Sequence, residues 1–177
     1  RIGNYYSNSI QGDIKLIDIY KNLGVISSFE KNTLCLKKDK NHKLPKKVIL
    51  DLNDNPDLAQ TIAVSCFGLG LQCDLYGLQT LKIKETDRLL ALEKELVKLG
   101  GNILITNDSL HLKKSKEFNV NICIDTYEDH RMAMAFAPLG IIKPIIINDP
   151  MVVSKSFPTY WKALKKLNFR ISEYKRN

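Results

Sequence analysis

A segment of roughly 75 residues recurs along this chain, and that repetition limits the possible folds more than any other feature. Leu23 and Leu99 lie 76 positions apart, as do Leu34 and Leu110. Their surroundings match too: Asn22-Leu23-Gly24 against Lys98-Leu99-Gly100, then Leu34-Cys35-Leu36-Lys37-Lys38 against Leu110-His111-Leu112-Lys113-Lys114. Asp51, Ala59 and Ala63 reappear 74 positions on as Asp125, Ala133 and Ala137. A partial third copy sets Phe157, Tyr160, Leu164 and Leu167 68 positions beyond Leu89, Leu92, Leu96 and Leu99. A solenoid repeat is shorter than this, so the period points to duplicated α/β subdomains, divided at about 1–76, 77–150 and a partial 151–177.

Periodicity fills in one copy. Ile14, Ile17 and Leu23 in one segment, and Leu89, Leu92, Leu96 and Leu99 in another, place apolar side chains on one helical face; Gly24 and Gly100 end the two helices, expected over 11–23 and 86–99. A hairpin follows the second, 102–105 and 110–112 around Asn107-Asp108-Ser109. Short apolar strands are expected at 48–52 and 122–124, further helices at 56–67 and 129–139, and returning strands at 71–76 and 145–147. Pro56 suits a first helical turn. This alternation makes sheets covered by helices. Residues 37–47, with six lysines, read as an exposed loop.

Composition excludes several classes. With 44% hydrophobic and 26% charged residues, the 177-residue chain can build a core and is neither disordered nor collagen-like. The longest uncharged stretch, 58–73, is interrupted by Gln60, Thr61, Ser65, Gly68 and Gly70 and is too short for a membrane span. Cys35, Cys66, Cys73 and Cys123 show no C-x-x-C spacing, which argues against a zinc site and for a reducing cytoplasm. The chain opens at Arg1 without a signal region, as expected of part of a longer protein. A net charge of +8 fits nucleic acid, an acidic membrane or small anions equally, so the placement of the charges matters more than their sum.

The informative charges stand at helix starts. Lys84-Glu85-Thr86-Asp87-Arg88 opens one helix and Asp129-His130-Arg131 another. Unpaired N–H groups and the dipole there favour acidic residues, so Glu85, Asp87, Glu128 and Asp129 are ordinary complements, whereas Arg88 and Arg131 are placed as if to meet an anion. Mixed charges in solvent give the same local pattern, and both readings stay open at this level. Lys155 stands ahead of the last helix as Lys84 does ahead of its own, and Asp57 beside Pro56 heads a helix where a cap is common. If these starts converge, two carboxylates and several cations share one cavity, an arrangement suited to acid/base work on a polyanion.

The runs Asp51-Leu52-Asn53-Asp54-Asn55-Pro56-Asp57-Leu58-Ala59-Gln60-Thr61, Ile83-Lys84-Glu85-Thr86-Asp87-Arg88-Leu89, Asp129-His130-Arg131-Met132-Ala133-Met134-Ala135-Phe136 and Lys155-Ser156-Phe157-Pro158 resemble, in order and spacing, the 5-enolpyruvylshikimate-3-phosphate synthase family. Asn8-Ser9-Ile10-Gln11-Gly12-Asp13 fits its pattern as well. The resemblance implies an α/β fold in which repeated β-α-β-α-β-β subdomains form one lobe, here 1–177 as the C-terminal portion. It implies transfer of the enolpyruvyl group from phosphoenolpyruvate to the 5-hydroxyl of shikimate 3-phosphate, with release of phosphate and no cofactor or metal.

By the same resemblance, Asp57 takes the hydroxyl proton and holds shikimate 3-phosphate, and Glu85 handles the methylene proton. Lys84 contacts substrate beside both reacting groups. Arg88 and Arg131 clamp phosphoenolpyruvate through planar forks, Lys155 lies near the departing phosphate, and His130 is a supporting hydrogen-bonding neighbour. Thr80 stands where many relatives have an asparagine touching shikimate 3-phosphate, with Gln79 as a substitute. Other phosphate-binding groups belong to an N-terminal lobe outside this sequence, so the chain alone is expected to carry half a site and to be inactive, within a monomeric protein. A UDP-N-acetylglucosamine enolpyruvyl transferase lobe is the alternative, with K-E-T-D-R and D-H-R favouring the shikimate enzyme. A nucleic-acid-binding module would gather its cations on one face with exposed aromatics, whereas here the six Phe and seven Tyr fall mostly in apolar stripes.

Overall fold

A computed structural model describes residues 1–115 and 117–174. The chain divides into two compact units, Arg1–Lys47 and Val48–Asn177. In the first, β1 (Ile2–Gly3) precedes a 3-10 turn, Gly12–Lys15, that runs into α1 (Leu16–Lys21); a hairpin of β2 (Val25–Glu30) and β3 (Thr33–Lys38) follows. The three strands pair antiparallel in the order β1-β3-β2, with Leu34 at the buried centre. The helix expected over 11–23 is therefore α-helical only across six residues. Lys37 and Lys38, expected in a loop, belong to β3 opposite Ile26 and Val25, although every lysine of 37–47 is exposed.

The second unit contains β4 (Lys47–Asp51, all but its first residue), a 3-10 turn Pro56–Leu58, α2 (Ala59–Gly68), β5 (Gln72–Tyr76), a 3-10 turn Gln79–Ile83, α3 (Arg88–Lys98), β6 (Asn102–Ile105) and β7 (Leu110–Lys113). These six main elements give the β-α-β-α-β-β order that the resemblance implies, with strands arranged β4-β5-β7-β6. Cys73 and Leu75 on β5 face Leu112 and Leu110 on β7, all buried, while Asp74 between them points the other way, as a period of two requires. The unit straddles the cut placed at residue 76. A sequence period carries no phase; the phase is set by β4 bonding to β5 instead of to the hairpin before it.

After β7 come β8 (Cys123–Ile124), α4 (His130–Phe136), a 3-10 turn Ala137–Ile141, β9 (Ile146–Ile147), a 3-10 turn Pro150–Lys155 and α5 (Tyr160–Lys166). β8 and β9 pair in parallel. Helix, hairpin, strand, helix and strand thus occur twice in the chain, with α5 beginning a third round. Pro138 stops α4 short of the expected residue 139, since a proline nitrogen cannot join the α-helical ladder.

Packing follows the sequence chemistry. In α2, Ala59, Ile62, Ala63, Val64, Cys66 and Phe67 are all buried, as suits a helix apolar on every side and lying against α3, α4 and β5. In α3, Leu89, Leu92 and Leu96 are fully buried along one stripe. Each contributes about 1.5–3 kcal/mol by leaving water. Gly100, at φ +93°, ends α3: its N–H bonds Val97 and that of Gly101 reaches back to Leu96, the paired bonds of a left-handed helix stop.

Candidate active site

Three segments of the second unit carry the candidate residues: the turn that holds Asp57, the stretch 84–88 entering α3, and 129–131 entering α4. The two helix starts are capped alike. Asp87 accepts from the Leu90 N–H at 3.0 Å and Asp129 from the Arg131 N–H at 2.8 Å. Contact between α2 and both α3 and α4 brings these starts together.

Arg88 joins the three segments. Its Nε donates to Asp129 Oδ2 at 2.7 Å, Nη1 to Asp57 Oδ1 at 2.8 Å, and Nη2 to Glu85 Oε2 at 2.6 Å and Asp129 Oδ1 at 3.3 Å. The residue is 1% exposed and Asp129 is fully buried. Gln60, from the first turn of α2, donates a further bond to Asp129 at 3.2 Å. Around this buried pair lie the accessible groups. Lys84 Nζ stands 3.3 Å from Asp57 Oδ1; Arg131 Nη2 stands 3.6 Å from Asp57 Oδ2, and its Nη1 donates to the Asp57 carbonyl at 3.2 Å. His130 Nδ1 lies 3.8 Å from Asp129 Oδ1, an electrostatic neighbour beyond hydrogen-bond length.

Six of the seven expected residues therefore converge: Asp57, Lys84, Glu85, Arg88, His130 and Arg131. Lys155 is exposed at the end of its 3-10 turn and joins none of the ion pairs of this cluster. Arg88 differs from an open clamp. Four hydrogen bonds to three carboxylates already occupy its fork, whereas the Arg131 side chain is 29% exposed and turns only its edge to Asp57. Asp129, read from sequence as a helix-dipole complement, is the buried anion that anchors Arg88. The signal for it was available in Gln60, the one amide in a mostly apolar helix. Oxygen and nitrogen atoms of Glu85, Asp129 and His130 lie within 4.8 Å of one another, but both Asp129 oxygens bond Arg88, so a divalent ion there would have to displace a buried guanidinium.

A second constellation has the distances of a nucleophile, base and acid: Ser109 Oγ to His111 Nε2 at 3.0 Å, and His111 Nδ1 to Asp74 Oδ1 at 3.0 Å. Ser109 is 4% exposed and its hydroxyl also bonds Thr106 Oγ1 at 2.6 Å within the β6–β7 turn, so the trio ties β5 to the hairpin. Attack on a substrate needs an accessible oxygen, which this serine lacks.

Residues 1–164 match the family model described as EPSP synthase (3-phosphoshikimate 1-carboxyvinyltransferase). The chain belongs to the EPSP synthase family. Among curated relatives, a 3-phosphoshikimate 1-carboxyvinyltransferase of Bacteroides fragilis (strain YCH46) is 44% identical over 169 residues, covering 94% of this chain and 41% of that protein. One from Neisseria meningitidis (strain ATCC 700532 / DSM 15464 / FAM18) is 33% identical over 168 residues, covering 94% and 39%. The chain thus spans about two fifths of the length of these relatives. EPSP synthase from Acinetobacter baumannii superposes with a TM-score of 0.64 at 20% identity over 89% of this chain and 39% of that one, a likeness of fold. Among the described residues no helix is long and apolar enough to cross a membrane.

Proposed function

We propose that this chain supplies one half of an active site that transfers the enolpyruvyl group of phosphoenolpyruvate to the 5-hydroxyl of shikimate 3-phosphate, in a cytoplasmic, monomeric protein. The observation that carries the reading is the single ionic network in which Arg88 joins Asp57, Glu85 and Asp129. It holds two part-exposed carboxylates beside Lys84 and Arg131, the pairing of proton carriers and cations that the chemistry needs.

The reaction asks for three proton movements. The acceptor hydroxyl loses a proton as its oxygen bonds to C2 of phosphoenolpyruvate, and the methylene carbon gains one. The tetrahedral adduct then returns a proton from the new methyl group as the C2–O bond to phosphate breaks. Asp57 takes the hydroxyl proton, with Lys84 beside it steadying the carboxylate. Once released by Arg88, Glu85 takes up a proton from solvent, gives it to the methylene carbon and recovers it in the second step. Each such group contributes about 10²–10⁴-fold. Arg131 offers the open fork for a carboxylate or phosphate. Arg88 reaches substrate by releasing Glu85, the exposed partner, while retaining the buried Asp129. Lys155 and the groups outside this chain meet the departing phosphate.

Three carboxylates, Asp57, Glu85 and Asp129, balance three cations, Lys84, Arg88 and Arg131, so this cluster has no surplus charge for a polyanion. Turnover therefore requires cations from the remainder of the protein. The full-length protein with both substrates is expected to release phosphate, and this chain alone to release none. Absence of release from the full-length protein would reject the function; release by the chain alone would reject the half-site reading.

A further inference from the structure

We propose that Glu95 and Tyr127 form a positioning pair for His130 and Arg131, a second anchor two turns along α3 from Arg88. The proposal rests on the function stated above. Glu95 is fully buried and lies on the same helical face as Arg88, seven residues on. Its Oε1 accepts from the Tyr127 hydroxyl at 2.6 Å and its Oε2 from the Asp125 N–H at 3.1 Å. Lys98 Nζ donates to both oxygens at 2.8 and 2.9 Å and continues to Asp125 Oδ2 at 2.7 Å. One helix thus grips the segment entering α4 twice, at 125–127 through Glu95 and at Asp129 through Arg88.

Between the grips the backbone is strained. Tyr127 and Glu128 both adopt left-handed conformations, φ +53° and +57°. Side-chain-bearing residues disfavour that region and persist in it only where their surroundings over-determine it. The two anchors supply that constraint, and the residues delivered immediately afterwards are Asp129, His130 and Arg131. Asp57 and Lys84 hang from other segments; if the turn relaxes, Asp57 loses its contacts with Arg131 but stays held by Arg88 and Lys84. A buried carboxylate at a helix position where a leucine would pack is weak evidence for added stability. Here it is accounted for by aim: the charge fixes where the turn goes.

The test uses Tyr127→Phe, Glu95→Gln and the double variant in the full-length protein. The Michaelis constant for phosphoenolpyruvate is expected to rise about fivefold or more in each, as loss of a hydrogen bond to a buried charged group implies. That for shikimate 3-phosphate should stay within about twofold, because Arg88 and Lys84 still hold Asp57. The double variant is expected to match Glu95→Gln, since the two residues act as one unit. Amide exchange gives a second readout: the N–H groups of Asp129, Arg131 and Met132 should exchange about tenfold faster while those of Leu92 and Ile62 do not. Equal changes in both Michaelis constants, or lower thermal stability with neither changed, would assign Glu95 a merely structural role and overturn the proposal. If the unaltered protein fails to turn over the two substrates, the functional reading is what has failed. Exchange then decides the positioning claim: acceleration confined to 125–132 sustains it, and uniform or absent acceleration overturns it.

Discussion

Cutting the Arg88–Asp129 pair from either side is expected to cost far more than cutting it from both. With Arg88→Met, the fully buried Asp129 keeps only the Gln60 amide and the Arg131 N–H. Asp57 and Glu85, part-exposed, return to water at little cost. Leaving one member of a buried ion pair without its partner typically costs about 3–5 kcal/mol. Asp129→Leu leaves the guanidinium with Asp57 and Glu85, which places it near 3 kcal/mol, including about 1 kcal/mol for the lost cap of α4. The double variant buries no lone charge, so only the cap and imperfect packing remain, about 1–2 kcal/mol. The coupling between the sites should then reach about 3 kcal/mol or more. In a chain of this length 1 kcal/mol moves the midpoint by about 2–4 °C, so each single variant should lower it by about 6–20 °C and the double by markedly less. Urea denaturation of the four proteins measures the cycle. Additivity within about 0.5 kcal/mol would refute the claim that Arg88 and Asp129 act as one unit.

Glu85→Gln or Asp57→Ala in the full-length protein should lower kcat by about 10²–10⁴-fold, read from phosphate release; near-normal turnover removes the assigned role. Arg131→Lys should raise the Michaelis constant for phosphoenolpyruvate through loss of the planar fork, and an unchanged value counts against Arg131 as the open clamp. Tyr160 donates to the Met134 carbonyl at 3.0 Å, and burial pushes its hydroxyl up to about 12. Because the folded value lies above the unfolded one near 10, stability is full below about pH 10 and declines as pH rises toward 12. Tyr160→Phe should flatten that alkaline decline in denaturant midpoints measured from pH 9 to 11.5, and an unaltered slope would show that another group causes it. Gly77 sits at φ +75° with a would-be Cβ 2.4 Å from the Asn53 nitrogen, so Gly77→Ala should destabilise by about 1 kcal/mol or more, and a neutral result would mean that the turn yields.

What could be read from sequence was whatever depends on neighbours along the chain. The leucine stripe of α3, its stop at Gly100 and the β6–β7 hairpin are local, and the structure places all three where periodicity and turn chemistry put them. The repeat was also visible, but its starting point was not, because that is decided by which strand β4 bonds to. Asp129 shows the same limit at the site. An aspartate opening a helix has one sequence signature whether it caps in solvent or lies buried against a guanidinium. The residues that decide the matter, Arg88 and Gln60, are 41 and 69 positions away. Arg88 shows the same limit: motif position says that an arginine is present, not how many of its donors are already in use.

That occupancy changes what the site must do on binding. The opening charge of +8 suggested an excess of cations waiting for anions, yet the six lysines of 37–47 are exposed surface and the cluster itself balances. On the proposed function, an arriving phosphate or carboxylate competes with Glu85 for Arg88, and success frees the carboxylate proposed to carry the carbon proton. On that proposal binding and activation are one exchange at Arg88, favoured because Glu85 is accessible while Asp129 holds the other side of the guanidinium in the core.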